Sequence, residues 1–273
     1  MKRNHIALLL ALTVLAALLL TGCGSKETEG LIFQQSEGSY IVTGYQGQEV
    51  HVVIPAVHND VPVTQIAEAA FANTDIQSVV LGKNIQVIQK DAFENCSLLK
   101  DVQLNEGLQL LDAGCFRSCC SLTEFEVPAS VQKISWAFSQ CTGLKKVTFA
   151  SGSQLDVLIG AFYRCSSLNQ VELPDHPLNF QGDNFEECTA LRSLSIPSGS
   201  VFGVKPEFTD VPYTCQVDFA DSMEEIFNNS LERGFMTSVQ ATNYKDMTGQ
   251  TLTPEIWFTQ SLFAESEAIY QLP

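Results

Sequence analysis

Apolar residues recur along the middle of the chain with a period of about 23 positions. Phenylalanines mark this period at intervals of 22, 23, 22, 24 and 23 residues: Phe71, Phe93, Phe116, Phe138, Phe162 and Phe185. A repeat of this length is one supersecondary unit, which cannot bury its apolar face alone and must stack on its copies. The pattern therefore predicts a solenoid.

Each unit has the same internal order of apolar positions. Cys and Leu follow the Phe at intervals of three, as in Phe116-Arg-Ser-Cys119-Cys-Ser-Leu122, and two apolar residues then flank one polar position, as in Phe125-Glu-Val127. Such alternation is typical of a strand with one buried face. The Phe-x-x-Cys stretch has the length of one helical turn. We expect short parallel strands, one per coil, joined by single helical turns and loops.

The kernel Ala-Phe-x-x-Cys-x-x-Leu, in units of about 23 residues, resembles the BspA-like leucine-rich repeats of bacterial surface proteins. The resemblance covers about residues 40 to 200. It implies an N-terminal cap and first repeat at 31–66 and leucine-rich repeats at 67–216. It also implies binding of another macromolecule at a cell surface, with adhesion or host interaction as the role.

The chain begins like an export signal. Two basic residues precede an apolar run from Ile6 to Leu20, which is short for a membrane-spanning helix of about 20 residues. The following Leu-Thr-Gly-Cys23 resembles the lipobox of bacterial lipoproteins, in which the cysteine becomes the lipidated N-terminus. We expect a signal peptide at 1–22, then a lipidated Cys23 and flexible tether at 23–30. The protein would be anchored to the bacterial membrane outside the cytoplasm; an ordinary signal peptide that ends in Cys is the alternative.

Cysteines occupy one site in successive units: Cys96, Cys119, Cys141, Cys165 and Cys188. This register predicts a structural thiol column, in which each side chain is a small apolar group and a weak donor to a neighbouring turn carbonyl. Stacked equivalents would lie about one strand spacing, ~4.8 Å, apart, so disulfides between repeats stay open, as does a metal. Cys115 takes an Ala position and is expected in the core, whereas Cys120 takes a polar position and is expected at the surface.

Catalytic signatures are missing from the sequence. It has no Gly-rich phosphate loop, His-Glu-x-x-His helix, Gly-x-Ser-x-Gly elbow or Cys-x-x-Cys pair, and His51, His58 and His176 are expected to be surface residues. The formal charge of -16 disfavours nucleic acid, because phosphate binding needs clustered Lys and Arg. We expect no catalytic residue, metal or cofactor, and no nucleic-acid partner.

The exposed side of the predicted sheet is the expected binding surface, because solenoids present one residue per coil there in register. Two neighbouring polar columns include Asp101, Gln103, Glu124, Glu126, Lys146, Thr148, Gln170 and Glu172. Their lack of aromatic rings suits a protein ligand better than a sugar, and a merely solvated surface is the alternative. Trp136 breaks the register two residues before Phe138, either as packing against a loop or as an exposed anchor for a partner.

Residues 217–273 carry no repeat. A capping box at Ser222 and Glu225 predicts a helix that stops at Gly234, and Pro254 begins a second one. We expect a partly helical C-terminal cap over the open end of the core. A small separate interaction module is the alternative.

These features predict a membrane-anchored, extracytoplasmic leucine-rich repeat protein that acts as a monomeric protein-binding or adhesion module. Its partner would be a protein ligand or a host surface macromolecule. The second hypothesis is a structural or accessory envelope lipoprotein without a host ligand. The third is an enzyme with an unrecognised site.

Overall fold

Short strands alternate with turns in the computed structural model, which describes residues 27–202, 216–219, 229 and 269–271. The first strands are β1 (Leu31–Ser36), β2 (Ser39–Tyr45), β3 (His51–Ile54), β4 (Val57–His58), β5 (Val61–Ile66), β6 (Ser78–Leu81), β7 (Val87–Ile88), β8 (Asp101–Gln103) and β9 (Leu110–Leu111). The later strands are β10 (Glu124–Val127), β11 (Lys133–Ser135), β12 (Lys146–Phe149), β13 (Val157–Ile159), β14 (Gln170–Glu172), β15 (Asn179–Gln181), β16 (Ser193–Ile196), β17 (Val201–Phe202), β18 (Gln216–Phe219) and β19 (Ile269–Gln271). Among these described residues, no helix combines the length and the apolar character that a bilayer crossing requires.

About seven coils stack into a solenoid, and most of them contribute one strand to each of two sheets. The continuous sheet has the order β1-β2-β5-β7-β9-β11-β13-β15-β17, in which pairing is parallel from β2 onward and β1 is antiparallel to β2. The divided face consists of the parallel groups β3-β6-β8 and β10-β12-β14-β16-β18-β19. The predicted parallel-strand solenoid is confirmed.

The prediction of one strand per coil is wrong, because the continuous sheet supplies a second. Its strands in the repeats are only two or three residues long, as in β9 and β11. Ile134 pairs with Leu111 on one side and Leu158 on the other, and all three are fully buried. Strands this short contain too few positions for an apolar-polar alternation to be visible in the sequence.

The segment from the continuous sheet to each Cys is a run of turns rather than the predicted single helical turn. In the second repeat, Asp91 and Asn95 at its two ends have left-handed φ angles of 54° and 58°, which a right-handed helix does not contain. The Phe93 amide donates to the Cys115 carbonyl of the next coil at 2.8 Å instead of to its own coil. Every second amide of the turn therefore connects neighbouring coils, much as a strand amide does.

The phenylalanine column forms the centre of the core. Successive ring centroids lie 5.0, 5.2, 5.8, 5.8 and 5.6 Å apart, with interplanar angles of 4° to 23°, along Phe71, Phe93, Phe116, Phe138, Phe162 and Phe185. All six rings are fully buried. Tyr45 of β2 continues the stack at its N-terminal end, 5.6 Å from Phe71. The repeat period thus becomes a continuous aromatic stack along the solenoid axis.

The two ends of the solenoid differ. At the N-terminal end, the β1–β2 hairpin extends the continuous sheet, and Phe33 of β1 stacks on His58 with 3.9 Å between centroids. At the C-terminal end, β18 and β19 extend the divided face beyond β16. The helices predicted near Ser222 and Pro254 lie outside the described residues, apart from the single position 229.

Candidate binding surfaces

Strand pairing on the divided face places the predicted polar columns in register. The first column pairs Ser78 with Asp101 and, in the second group of strands, Glu124 with Lys146, Lys146 with Gln170 and Gln170 with Ser193. The second column pairs Val80 with Gln103, Glu126 with Thr148 and Thr148 with Glu172. The predicted partner-binding residues of the columns therefore share one surface of the molecule.

The columns are interrupted, although the repeat alignment predicts that they run without a break. Strands β8 and β10 belong to separate sheets, so Gln103 and Glu126 are not paired. The break coincides with Phe125, a larger side chain at the site that holds Val79 and Val147 in other coils. Six of the eight candidates consequently lie on β10, β12 and β14, and two lie on β8.

The surface formed by β10, β12 and β14 is acidic. Glu124, Glu126 and Glu172 are exposed, while Lys146 is the one cation among the predicted residues there. Lys146 Nζ lies 3.0 Å from Glu172 Oε1, and Gln170 Nε2 donates to the same oxygen at 2.6 Å. Glu172 is thereby partly neutralised, so the excess negative charge is concentrated at Glu124 and Glu126.

A second polar cluster on the divided face was not foreseen. His51 Nδ1 lies 2.8 Å from Ser78 Oγ, and Ser78 pairs in register with Asp101 on its other side. An acyl-transfer triad requires the histidine between the serine and the carboxylate. Here the serine is in the middle, so the arrangement is that of a surface hydrogen bond.

Trp136 lies at the corner between the continuous sheet and the turns. The equivalent corner positions share left-handed φ angles: Ala69 (55°), Asp91 (54°), Gly114 (67°), Trp136 (48°) and Gly160 (52°). Such angles are uncommon for a bulky residue. A Cβ atom at Gly160 would lie 2.5 Å from Trp136 Cδ2 and Cε2, so the indole packs directly on the glycine backbone of the next coil. Trp136 therefore packs against a neighbouring turn and remains half-exposed.

A groove of about 280 Å³ adjoins this corner; Lys90, Asp91, Ala113, Gly114, Arg117, Trp136, Ser139, Gln140 and Tyr163 line it. Arg117 Nη2 contacts Asp91 Oδ1 at 3.1 Å and Glu94 Oε1 at 2.6 Å. Burial raises the pKa of Asp91, although the Arg117 guanidinium acts in the opposite direction. The groove combines two aromatic side chains with groups of both charges.

The register cysteines are fully buried free thiols. Each Sγ donates to the carbonyl of the Phe in the preceding coil at 3.0 to 3.2 Å: Cys96 to Phe71, Cys119 to Phe93, Cys141 to Phe116, Cys165 to Phe138 and Cys188 to Phe162. Burial raises the pKa of the Cys141 thiol to about 12. In the first repeat Thr74 takes the site, and its Oγ1 bonds to the Phe71 carbonyl.

The remaining described cysteines follow the register. Cys115 is fully buried in its Ala position, and Cys120 is exposed. Across the described residues, no group of three or more His, Cys, Asp or Glu side chains has a geometry that could hold a metal ion. Cys23 lies outside the described residues.

Coils of two short strands around stacked Phe, Cys and Leu columns define a leucine-rich-repeat solenoid, a class that typically binds other macromolecules rather than catalysing reactions. The family model for the BspA-type leucine-rich repeat region matches residues 64–157 and 155–250, in six copies across the two ranges. The chain belongs to this family.

Solved structures of other bacterial leucine-rich repeat proteins are similar, and two of them are compared with this chain. The T. pallidum leucine-rich repeat protein TpLRR is 26% identical, with a TM-score of 0.55, and the match covers 68% of this chain and 91% of TpLRR. A leucine-rich cell surface protein from Faecalibacterium prausnitzii A2-165 is 20% identical, with a TM-score of 0.50, and the match covers 73% of this chain and 71% of that one. No curated protein matches the chain.

Sequence reasoning selected Trp136 but missed the other residues of its groove. The signal was present in the repeat alignment, where Ser139 occupies the site of Arg117 and Tyr163 in the adjacent coils. A small residue between two long ones in such a column indicates a depression in the surface. Asp91 belongs to another coil, and its place in the groove lining follows from how the coils stack. The alignment alone does not show this stacking.

Proposed function

We propose that the chain is a membrane-anchored, extracytoplasmic protein-binding module that engages its ligand through the divided face. The in-register polar columns on β10, β12 and β14 carry this proposal. Parallel pairing repeats the side chains at about 4.8 Å, which gives a regularly spaced array of polar groups that a protein surface can contact. Adhesion to a host surface is one use of such a surface.

The charge of this surface selects the class of partner. Glu124 and Glu126 are both exposed and project from the same strand, β10. Lys146 Nζ, 3.0 Å from Glu172, offsets the charge of that carboxylate. The uncompensated negative charge therefore lies on the two β10 carboxylates. Complementary charge accelerates association and excludes partners of like charge. The fitting ligand is therefore a protein with a basic surface patch.

Reversing the two β10 charges, in the variant Glu124→Lys/Glu126→Lys, should weaken ligand binding by about tenfold or more. The chain without residues 1–30 is immobilised and exposed to extracellular-matrix and cell-surface proteins, and each retained protein is measured for affinity at two salt concentrations. The matched control is Glu106→Lys/Asp156→Lys, which reverses two exposed charges outside β10, β12 and β14. Equal retention by both double variants would contradict a role for the divided face.

The proposed organisation of the chain is a signal peptide at 1–22, a lipid-bearing Cys23 with a tether to residue 30, an N-terminal cap and first repeat at 31–66, leucine-rich repeats at 67–216, and a C-terminal cap or small helical segment at 217–273. A diacylglycerol on Cys23 would hold the solenoid at the membrane, because each buried methylene contributes about 0.8 kcal/mol. The Leu-Thr-Gly-Cys sequence supports this anchor.

Replacing Cys23 by alanine should abolish fatty-acid labelling and move the protein out of the membrane fraction. Metabolic labelling with an alkyne-bearing fatty acid, followed by fractionation of the cells, measures both effects. Cys120→Ala is the matched control, because it removes an exposed thiol of the solenoid and should leave labelling unchanged. Persistent labelling of the Cys23→Ala protein would exclude Cys23 as the attachment site.

A further inference from the structure

The groove beside Trp136 is formed by small residues that lie between large ones. Along one column, Ser139 lies between Arg117 and Tyr163 of the adjacent coils; along the next, Gly114 lies between Asp91 and Trp136. All of these residues line the groove. The two gaps lie in adjacent coils and join into one depression, whose volume of about 280 Å³ is near the lower end, ~300 Å³, of small-molecule pockets. It has room for a single ring.

The aromatic wall of the groove is held in place by packing. Trp136 rests on the Gly160 backbone, which supports one face of the indole. Tyr163 meets it edge-on, with centroids 5.6 Å apart and an interplanar angle of 68°. Arg164 in turn covers the Tyr163 ring, with Cζ 4.9 Å from the centroid. A rigid aromatic platform of this kind is typical of ligand contact positions.

The polar wall contains a buried hydroxyl group that has no hydrogen-bond partner. Ser139 is only 3% exposed, and its Oγ bonds to nothing among the residues that the structure describes. Buried polar atoms are generally paired, because an unpaired one costs about 1–3 kcal/mol. Asp91 and Gln140 add carboxylate and amide groups to the same lining, and Lys90 adds an ammonium group.

These features exclude several classes of ligand by charge and polarity. The charged groups of the lining are already paired with one another, because Asp91 lies 3.1 Å from Arg117 Nη2 and 3.8 Å from Lys90 Nζ, so an ionic ligand would have to compete with these pairs. A wholly apolar group would cover Asp91 and Ser139 without supplying hydrogen bonds, which leaves buried polar atoms unpaired. The remaining class is a neutral ring with an apolar face and a hydroxylated edge.

We propose that this groove is a carbohydrate subsite that holds one neutral pyranose ring of a glycan, with its C–H face on Trp136 and its hydroxyl groups directed to Asp91, Ser139 and Gln140. The site is separate from the acidic columns of the divided face, where no aromatic ring takes part. The chain would then recognise a saccharide at one corner of the solenoid, beside Trp136, and a protein on another surface.

The test is titration of the chain without residues 1–30 with neutral tetrasaccharides of glucose, mannose, galactose and N-acetylglucosamine, followed by calorimetry and tryptophan fluorescence. At least one of these tetrasaccharides should bind the wild-type protein. Its affinity for the Trp136→Gly variant should be lower by about tenfold or more. This variant copies Gly114 and Gly160 at the equivalent corners, so its φ angle is permitted and the fold should be retained. Ser139→Ala should weaken the same binding by several-fold.

Glu124→Lys/Glu126→Lys is the control, and it should bind the saccharide as the wild type does. Circular dichroism of each variant separates loss of binding from loss of fold. Absence of binding by all four tetrasaccharides, or equal binding by wild type and a folded Trp136→Gly protein, would overturn the proposal. Loss of saccharide binding in the Glu124→Lys/Glu126→Lys variant, with binding by Trp136→Gly unchanged, would also overturn the proposal. The subsite would then belong to the divided face.

Discussion

Replacing Phe138 by alanine is expected to lower the free energy of unfolding by about 3–5 kcal/mol, the usual cost of deleting a buried aromatic ring. Phe138 is fully buried, and its ring stacks on Phe116 and Phe162, with centroids 5.8 Å away in each direction. Phe125 also packs edge-on against it at 4.6 Å. Its removal therefore opens a cavity in the middle of the stack and weakens the interfaces with both neighbouring coils.

Urea unfolding followed by far-ultraviolet circular dichroism measures this effect. Phe138→Leu is the matched control, because it keeps most of the apolar volume and should cost much less. Thr148→Ala, on the solvent side of β12, should change stability by no more than about 0.5 kcal/mol. If Phe138→Ala lowered the free energy of unfolding by less than about 1 kcal/mol, the stacked rings would not be a main source of the core's stability.

The apolar core could be predicted from the sequence because each register position meets the same surroundings in every coil. Phe116 predicts the environment of Phe138, and Cys119 that of Cys141, since the coils are copies that contact one another directly. The same reasoning explains why Cys115 is buried and Cys120 is exposed. Repetition thus converts a local pattern into a long-range prediction.

The second strand of each coil and the path of the turns could not be predicted in this way. Strands such as β9 are two residues long, so periodicity does not reveal them. The turn amides bond between coils, as Phe93 does to Cys115, and this depends on coil spacing rather than on local residue preference. The left-handed φ angle of Trp136 also follows from the stacking geometry, because a bulky residue does not prefer it as glycine does.

The groove shows how departures from a repeat create a site. A perfect repeat would place the same side chain in each coil and produce a uniform surface. Here Trp136 replaces a small or acidic residue, and Ser139 replaces a long one, so a wall and a depression arise side by side. The proposed saccharide subsite therefore lies where the sequence departs from its own repeat.

In the native protein at pH 8, iodoacetamide is expected to modify Cys120 and to leave the buried thiols unmodified: Cys96, Cys115, Cys119, Cys141, Cys165 and Cys188. The thiolate is the reactive form. Because burial raises the pKa of Cys141 to about 12, its thiolate fraction at pH 8 should be about a thousand-fold below that of an exposed cysteine with an ordinary pKa near 8.5–9. Exclusion of the reagent from the core lowers the rate further. Peptide mapping by mass spectrometry measures each site separately.

Denaturation supplies the internal control, because unfolding returns every thiol to water and to an ordinary pKa. All seven of these cysteines should then react at similar rates in the absence of a reductant. Rapid labelling of Cys141 in the folded protein would contradict its burial. Fewer than five free thiols in the denatured, unreduced protein would mean that the column is cross-linked by disulfides. The Sγ donors to the Phe carbonyls, such as Cys165 to Phe138 at 3.0 Å, would then be lost, because a disulfide sulfur has no proton to donate.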